Sequence, residues 1–211
     1  VFVKYFIASL MRKVGADRIG LILNLIKKEV AMEKQLINYQ TLLDITNGIS
    51  ASHDPDEVVL LVVNSIHAAL KVKGCSLFLV NKKTDELEVA SSVGLSREYL
   101  DKGPLSAMQS IAQSLEEGPV AIHDVMDDPR LQYPQAALKE GIASILSVPI
   151  SVQSKVIGAL RIYTAEPWAF SLEEVNFVQA VAQLAGMAMA LCRMNRGLKS
   201  SIEILKTLRD P

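Results

Sequence analysis

Apolar and polar positions along this chain fall into two rhythms, one helical and one strand-like, that change over in a definite order. Residues 2–14 read as a short helix, interrupted at Gly15-Ala16-Asp17. From Arg18 to about Gly48 a second helix is predicted, far longer than the roughly 11–12-residue average. Ile19, Leu23, Ile26 and Val30 form its apolar stripe, which Leu36, Ile37, Leu42, Leu43 and Ile45 continue with drift. A helix of this length usually docks on another helix or a second subunit. Asp54-Pro55-Asp56-Glu57 starts the next helix, with Asp at the N-cap, Pro at the first helical position and acids in the first turn. The unbroken apolar run Val58–Val63 makes it buried on most sides, and it is expected to end near Lys73-Gly74.

The strand rhythm takes over at Cys75–Asn81, turns at Lys82–Asp85 and returns along Glu86–Ser92. Ala107–Glu116 reads as a helix closed by Gly118, and Val120–His123 as a short strand. A turn at Asp127-Asp128-Pro129-Arg130 leads to a short helix, Pro134–Glu140, ended by Gly141. Two apolar strands follow, Ile145–Val152 and Lys155–Thr164, joined by Gln153-Ser154. Pro149 inside the first argues for an edge position or a bulge. In the second, Gly158, Leu160 and Ile162 point to one face and Ala159, Arg161 and Tyr163 to the other. Hairpins at both ends of this order imply an antiparallel sheet with helices on both faces, an α+β fold.

The last helix is announced twice. Ser171 and Glu174 have the spacing of a capping box, and Phe170 and Val175 fall at the hydrophobic-staple positions. Within it Phe177, Val181, Leu184, Ala188, Leu191, Asn195, Leu198, Ile202 and Leu205 follow alternating steps of four and three, the heptad rhythm of a coiled coil. With Val181, Ala188, Asn195 and Ile202 at a, the leucines and Phe177 fall at d. Leu at d with a lone Asn at a favours a parallel two-stranded seam. The adjacent stripe Val178, Ala182, Ala185 and Met189 is suited to lie on the sheet. The competing reading is a helix that packs only within its own subunit. Gly197 weakens the stripe by about 1 kcal/mol.

Composition narrows the classes. The chain has 211 residues, half of them apolar, and a net charge of -1. That suits one domain with long flanking elements, excludes a disordered chain, and offers no basic stripe for nucleic acid. Cys75 and Cys192 are too few for a disulfide framework or metal cage and read as buried, reduced thiols of a cytoplasmic protein. Val1–Leu10 carries Lys4 and is too short for a bilayer span of roughly 20 residues. It is expected to be a docking helix, with a membrane-contacting amphipathic helix as the alternative. Lacking an initial Met, the chain is expected to be an excised or processed piece.

The stretch Gly141–Gly186 resembles the second half of a GAF domain, a small-molecule-sensing and dimerising module of signalling proteins. Gly74-Cys75-Ser76-Leu77 and Ala90-Ser91-Ser92-Val93-Gly94-Leu95 match further pieces. Asp128-Pro129-Arg130-Leu131-Gln132-Tyr133-Pro134 is similar to a bacterial GAF subgroup that accompanies sensor kinases and related regulators. The resemblance covers about Leu36 to Cys192. It implies a profilin-like sheet of five to six antiparallel strands, in the order 2-1-5-4-3 for the five main strands. The division it suggests is an N-terminal helical segment at 1–35, the GAF-like domain at 36–192 and a helical extension at 193–211.

The resemblance also implies what is missing. Cyclic-nucleotide-binding relatives carry Asn-Lys…Phe…Asp-Glu after the last strand. Here Tyr163-Thr164-Ala165 stands in place of Asn-Lys, Phe170 matches, and Glu174-Val175 lacks the final acid. Neither cysteine is placed for bilin attachment, and there are too few for the methionine-sulfoxide-reducing relatives. His53, His67 and His123 read as surface or capping residues rather than haem ligands. Asp127-Asp128 read as turn formers, and no Gly-x-Ser-x-Gly elbow, phosphate-cradling glycine loop or metal spacing is present.

The expected function is therefore a non-enzymatic sensory and dimerisation module, without cofactor or metal. It takes an unidentified small molecule and relays through its terminal helices to a kinase or another output partner. The alternatives are a degenerate, ligand-free GAF dimer and a pocket enzyme such as a reductase or hydrolase. Ser92, Met108, Ile111, His123, Tyr133 and Arg161 are expected to border the cavity. Arg161 calls for an anionic partner, the competing reading being a surface or interdomain salt bridge. Phe177, Leu184, Leu191, Asn195, Leu198, Ile202 and Leu205 are expected at a parallel homodimer seam.

Overall fold

A computed structural model describes residues 16–52, 54–106 and 118–209, with side chains at 23–52, 54–106 and 118–201. The helix expected over residues 2–14, the helix expected at Ala107–Glu116, and His53 lie outside the described residues. The chain divides into two units, residues 1–40 and 41–211. Helix α1, Ala16–Ala51, runs through the boundary. In the first unit it exposes Leu25, Ile26, Val30, Met32 and Leu36. In the second its final turns bury Ile45 completely.

The rest of the second unit is built on one sheet. Helix α2, Pro55–Leu70, starts where the Asp54 carboxylate accepts the Asp56 amide at 3.0 Å. It ends earlier than the sequence suggests, because Lys71 turns left-handed (φ 51°) and Val72 is buried beneath. Strands β1 (Gly74–Asn81) and β2 (Glu86–Val93) follow, then a single turn of helix α3 (Arg97–Leu100) and the two-residue strand β3 (Leu105–Ser106). Neither α3 nor β3 carries enough residues to show a period. After β4 (Val120–Ile122) come helix α4 (Pro134–Lys139), strands β5 (Ser144–Val152) and β6 (Lys155–Thr164), and helix α5 (Leu172–Arg209).

All pairings are antiparallel, in the order β3-β2-β1-β6-β5-β4. Without the short β3 this is the order 2-1-5-4-3. Among the described residues β4 pairs with β5 at Ile145, Leu146 and Ser147, so Pro149 falls beyond that pairing, next to the irregularity at Ile150/Ser151. Gln153 and Ser154 close the β5–β6 hairpin with φ of 49° and 61°, as a type I′ turn requires. At Gly158 an added Cβ would lie 2.1 Å from the Phe78 carbonyl oxygen, so only glycine lets β6 approach β1 there.

The two faces of the sheet are occupied differently. On one, Cys75, Leu77, Leu146, Val148, Leu160 and Ile162 pack with Ile45, α2 and α5 into the main core. α5 is set by the capping box: the Ser171 amide donates to Glu174 Oε2 at 2.9 Å and the Glu174 amide to Ser171 Oγ at 3.2 Å. On the other face are two smaller clusters, Ile145 and Tyr163 with Tyr99 and Ala137, and Phe78 and Ala159 with Leu87 and Leu105. Between those clusters the second face turns polar.

Candidate functional site

Register places the polar groups. Ser92 on β2 faces Ser76 on β1, Ser76 faces Arg161 on β6, and Arg161 faces Ser147 on β5. Cross-strand partners share a face, so these four form one row across the centre of the sheet. Ser76, Ser147 and Arg161 are buried, Arg161 to 4% exposure. The Ser76 and Ser92 hydroxyls are hydrogen-bonded at 2.9 Å. Arg161 Nε donates to Ser147 Oγ at 3.3 Å, and the guanidinium carbon lies 5.1 Å from the Phe78 ring centroid. Among the described residues no carboxylate pairs with Arg161.

Two residues along β6, the fully buried Tyr163 hydroxyl has no hydrogen-bond partner among the described residues. Burial raises its pKa, against the pull of Arg161 and Ser76. Its ring meets Tyr99 of α3 edge-on, with centroids 5.8 Å apart. Lys102 Nζ sits 3.7 Å from the Tyr99 ring centroid and donates to the Tyr99 carbonyl at 2.9 Å. Burial and the like charge of Arg161 bring Lys102 down to about 8, with Glu140 opposing them. Burial pushes Glu140 up, yet hydrogen bonds from Ser96 and the charges of Lys73 and Lys102 hold it below the usual carboxylate range. Tyr99, Lys102, Ser96 and Glu140 line an outer cleft of about 530 Å³. Tyr99 and Lys102 thus border the cleft on one side and the buried row on the other.

The next residue, Gly103, has φ +133°, and a Cβ there would come within 2.7 Å of Tyr133 Oη. That hydroxyl donates to the Pro104 carbonyl at 2.9 Å, and the Tyr133 ring packs against the cluster of Phe78 and Ala159. The Lys102–Pro104 turn and Tyr133 are therefore fitted to each other.

Of the six residues expected around a cavity, Arg161, Ser92 and Tyr133 share this sheet face. His123 does not join them. It is exposed, 3.3 Å from the Trp168 carbonyl through Nδ1, in a separate hollow of about 410 Å³ with Asp124, Asp127, Asp128 and Arg130. The short β4 ends before His123 and turns it outward. Asp128 there accepts from Arg130, which holds its carboxyl below the ordinary value and fixes the turn. Met108 and Ile111 lie outside the described residues. The sequence does not mark Ser76, Ser147, Tyr163, Tyr99 or Lys102 as bordering a site, although it gives Tyr163 the same strand face as Arg161. The two serines interrupt apolar strands, a signal that only register makes meaningful, and Lys102 sits in a turn without period.

The heptad stripe of α5 is divided. Phe177, Val181 and Ala188 are buried in the chain's own core and Leu184 packs against it. The domain's own packing thus takes the a positions Val181 and Ala188. Leu191 and Leu198 are exposed, and with Met187 and Met194 they make an outward stripe at steps of four and three. Asn195 is half-buried beside it. Ile202 and Leu205 lie on described helical backbone, their side chains outside the description.

Both cysteines are free and buried, and burial drives the Cys75 thiol well above its ordinary value. Among the described residues no three His, Cys, Asp or Glu side chains gather as a metal site.

Comparisons with known proteins agree with this architecture. The GAF domain family model matches residues 52–190. A methyl sulfide methyltransferase-associated sensor from Methanosarcina acetivorans is 26% identical over 90% of this chain, which spans 19% of that relative's length. Among solved structures, the GAF domain of a phosphoenolpyruvate-protein phosphotransferase from Coxiella burnetii is 24% identical, with a TM-score of 0.68, covering 77% of this chain and 98% of that one. A free methionine-R-sulfoxide reductase from Neisseria meningitidis, solved with its substrate, is 17% identical with a TM-score of 0.65 over 75% of this chain and 91% of its own. At these identities the two structures share the fold.

Proposed function

The chain belongs to the GAF domain family, and we propose that it is a non-enzymatic sensory module of a signalling protein that takes a small molecule on the sheet face bearing Arg161. The observation that carries this reading is the polar row Ser92–Ser76–Arg161–Ser147, buried at all but Ser92. A face kept only for packing has no use for a buried guanidinium that no carboxylate among the described residues neutralises, since burying a charge is costly unless it is paired. The sensor named among the relatives supports the same class of job. α1 and α5 enter and leave the domain and pack on the opposite face through Ile45, Val178, Val181 and Ala182. A ligand that prefers one arrangement of the sheet shifts the helices packed on it.

A thiol reductase is disfavoured by the chain's own chemistry. Its two cysteines are both buried, and at Cys75 burial opposes the thiolate, which is the reactive form. The sensory reading is tested by native mass spectrometry of gently purified protein, joined to hydrogen exchange of α1 and α5 with and without the molecule found. A co-purified small molecule whose removal alters exchange in those helices is expected. If every class of small molecule leaves the protein's melting and exchange unchanged, a ligand-free dimerisation domain replaces this reading.

A further inference from the structure

Resting on the sensory reading, we infer that the ligand is a small organic acid whose carboxylate is held by the Arg161 guanidinium and the Tyr163 hydroxyl. Three features of the second sheet face lead there. Arg161 spends Nε on Ser147 and has no carboxylate among the described residues, which leaves its planar terminal nitrogens for an oxyanion. Tyr163, two residues along the same strand face, is 1% exposed; its hydroxyl sits beside Ser76 and Arg161, which pull its pKa down against burial, yet it makes no hydrogen bond of good geometry among the described residues. A buried hydroxyl left without a partner is uncommon enough to call for one. A carboxylate accepts from both groups at once.

The surroundings choose the rest of the ligand. Phe78, Ile145 and the edge of Tyr99 are apolar and flank the cationic point, so an acid with an apolar body fits better than a bare inorganic ion. Lys102 adds a second cation at the rim, between the outer cleft and Arg161. The groups facing Lys102 are Arg161 from β6, Tyr99 from α3 and Glu140 after α4. An anion on Arg161 removes a like charge from that set, so Lys102 takes up a proton as the acid binds near pH 8, where it titrates.

The test uses the full chain at constant ionic strength. Melting temperature is followed against sodium acetate, pyruvate, benzoate, inorganic phosphate and chloride. A saturable rise with at least one carboxylate, and none with chloride, is expected, because a ligand of the native state stabilises it. Arg161→Met should abolish the rise. Tyr163→Phe keeps the shape and should weaken the same carboxylate roughly tenfold. Titration calorimetry in buffers of different ionisation heat should show proton uptake near pH 8 that Lys102→Met removes.

A rise with phosphate alone, or a carboxylate response unchanged in both Arg161→Met and Tyr163→Phe, overturns the inference. So does a clear loss of stability in ligand-free Arg161→Met, which would place the counter-charge within the chain. If an uncharged compound binds and no carboxylate does, the ligand class falls and the sensory reading stands. If a carboxylate binds and α1 and α5 do not respond, the class stands and the sensory reading falls.

Discussion

Arg161 and Ser147 face each other across the β5–β6 ladder, and their 3.3 Å hydrogen bond is the guanidinium's one hydrogen bond among the described residues. A neutral hydroxyl satisfies one donor and none of the charge. In the ligand-free protein Arg161 is thus a site of stored cost. Arg161→Met should unfold at higher urea, a gain of about 1 kcal/mol or more, since an apolar side chain of similar volume replaces a buried charge that no carboxylate among the described residues neutralises. A clear loss of stability in ligand-free Arg161→Met would show that the charge is already compensated.

Tyr163→Phe addresses the neighbouring group. Removing a buried hydroxyl that makes no hydrogen bond should be neutral or stabilise by up to about 1 kcal/mol, whereas deleting a bonded one destabilises by a similar amount. The ring contact with Tyr99 at 5.8 Å is retained. Thermal melting of the ligand-free variant decides the sign, and a drop in melting temperature would mean that the hydroxyl is satisfied within the chain.

Lys102 gives a pH dependence whose direction is fixed. Its folded pKa of about 8 lies below the ordinary lysine value of 10.5. Between those values the unfolded chain binds more protons than the native one, so stability rises with pH. The rise should begin near pH 8 and be absent in Lys102→Met. Cys75, Tyr99 and Tyr163, all raised by burial, act in the opposite sense above their ordinary values of 9.0 for the thiol and 10.0 for the phenols, so the comparison belongs below pH 9.0. Urea midpoints of the two proteins that stay parallel across this window would contradict the burial of Lys102.

The start of α5 is a local device and should behave as one. Ser171→Ala removes the hydroxyl that accepts the Glu174 amide and should cost about 1 kcal/mol. Its effect should appear in melting temperature and leave ligand affinity unchanged. A loss of affinity without a loss of stability would tie the cap to the site in a way the geometry does not show.

These residues also mark where sequence reading succeeds. Ser171 and Glu174 are three apart and announce their own contact. The parity of Arg161 and Tyr163 against Leu160 and Ile162 is equally local, and the two clusters of apolar side chains fall on the faces it assigns. The row through Ser92, Ser76 and Ser147 is not local: it depends on which residues of four strands stand abreast, and no spacing within one strand records that. Lys102 escaped for another reason. Its cation lies in a turn between a four-residue helix and a two-residue strand, where no periodicity exists to orient it. In α5 the heptad rhythm is real, but two neighbouring faces compete for it. Ala188 and Phe177 satisfy the spacing of a seam and are buried within the single chain instead.

That division sharpens the expectation about assembly. A parallel homodimer through α5 would use what remains exposed: Met187 at 59%, Leu191 at 56%, Met194 at 65% and Leu198 at 60%. These stand at steps of four and three, so a two-stranded seam is available without disturbing the core. Leu191→Glu with Leu198→Glu would bury charge in that seam and should give monomers. Because both side chains are solvent-facing in the single chain, the sheet domain should melt at an unchanged temperature. Asn195, half-buried beside the stripe, should matter less than the two leucines, and Asn195→Leu should strengthen association while relaxing register. Sedimentation of the wild type and the double variant separates the outcomes. If both sediment as monomers, the exposed stripe does not pair; if both sediment as dimers, pairing occurs elsewhere, and α1, with Leu25, Ile26, Val30 and Leu36 exposed, is the next helix to substitute.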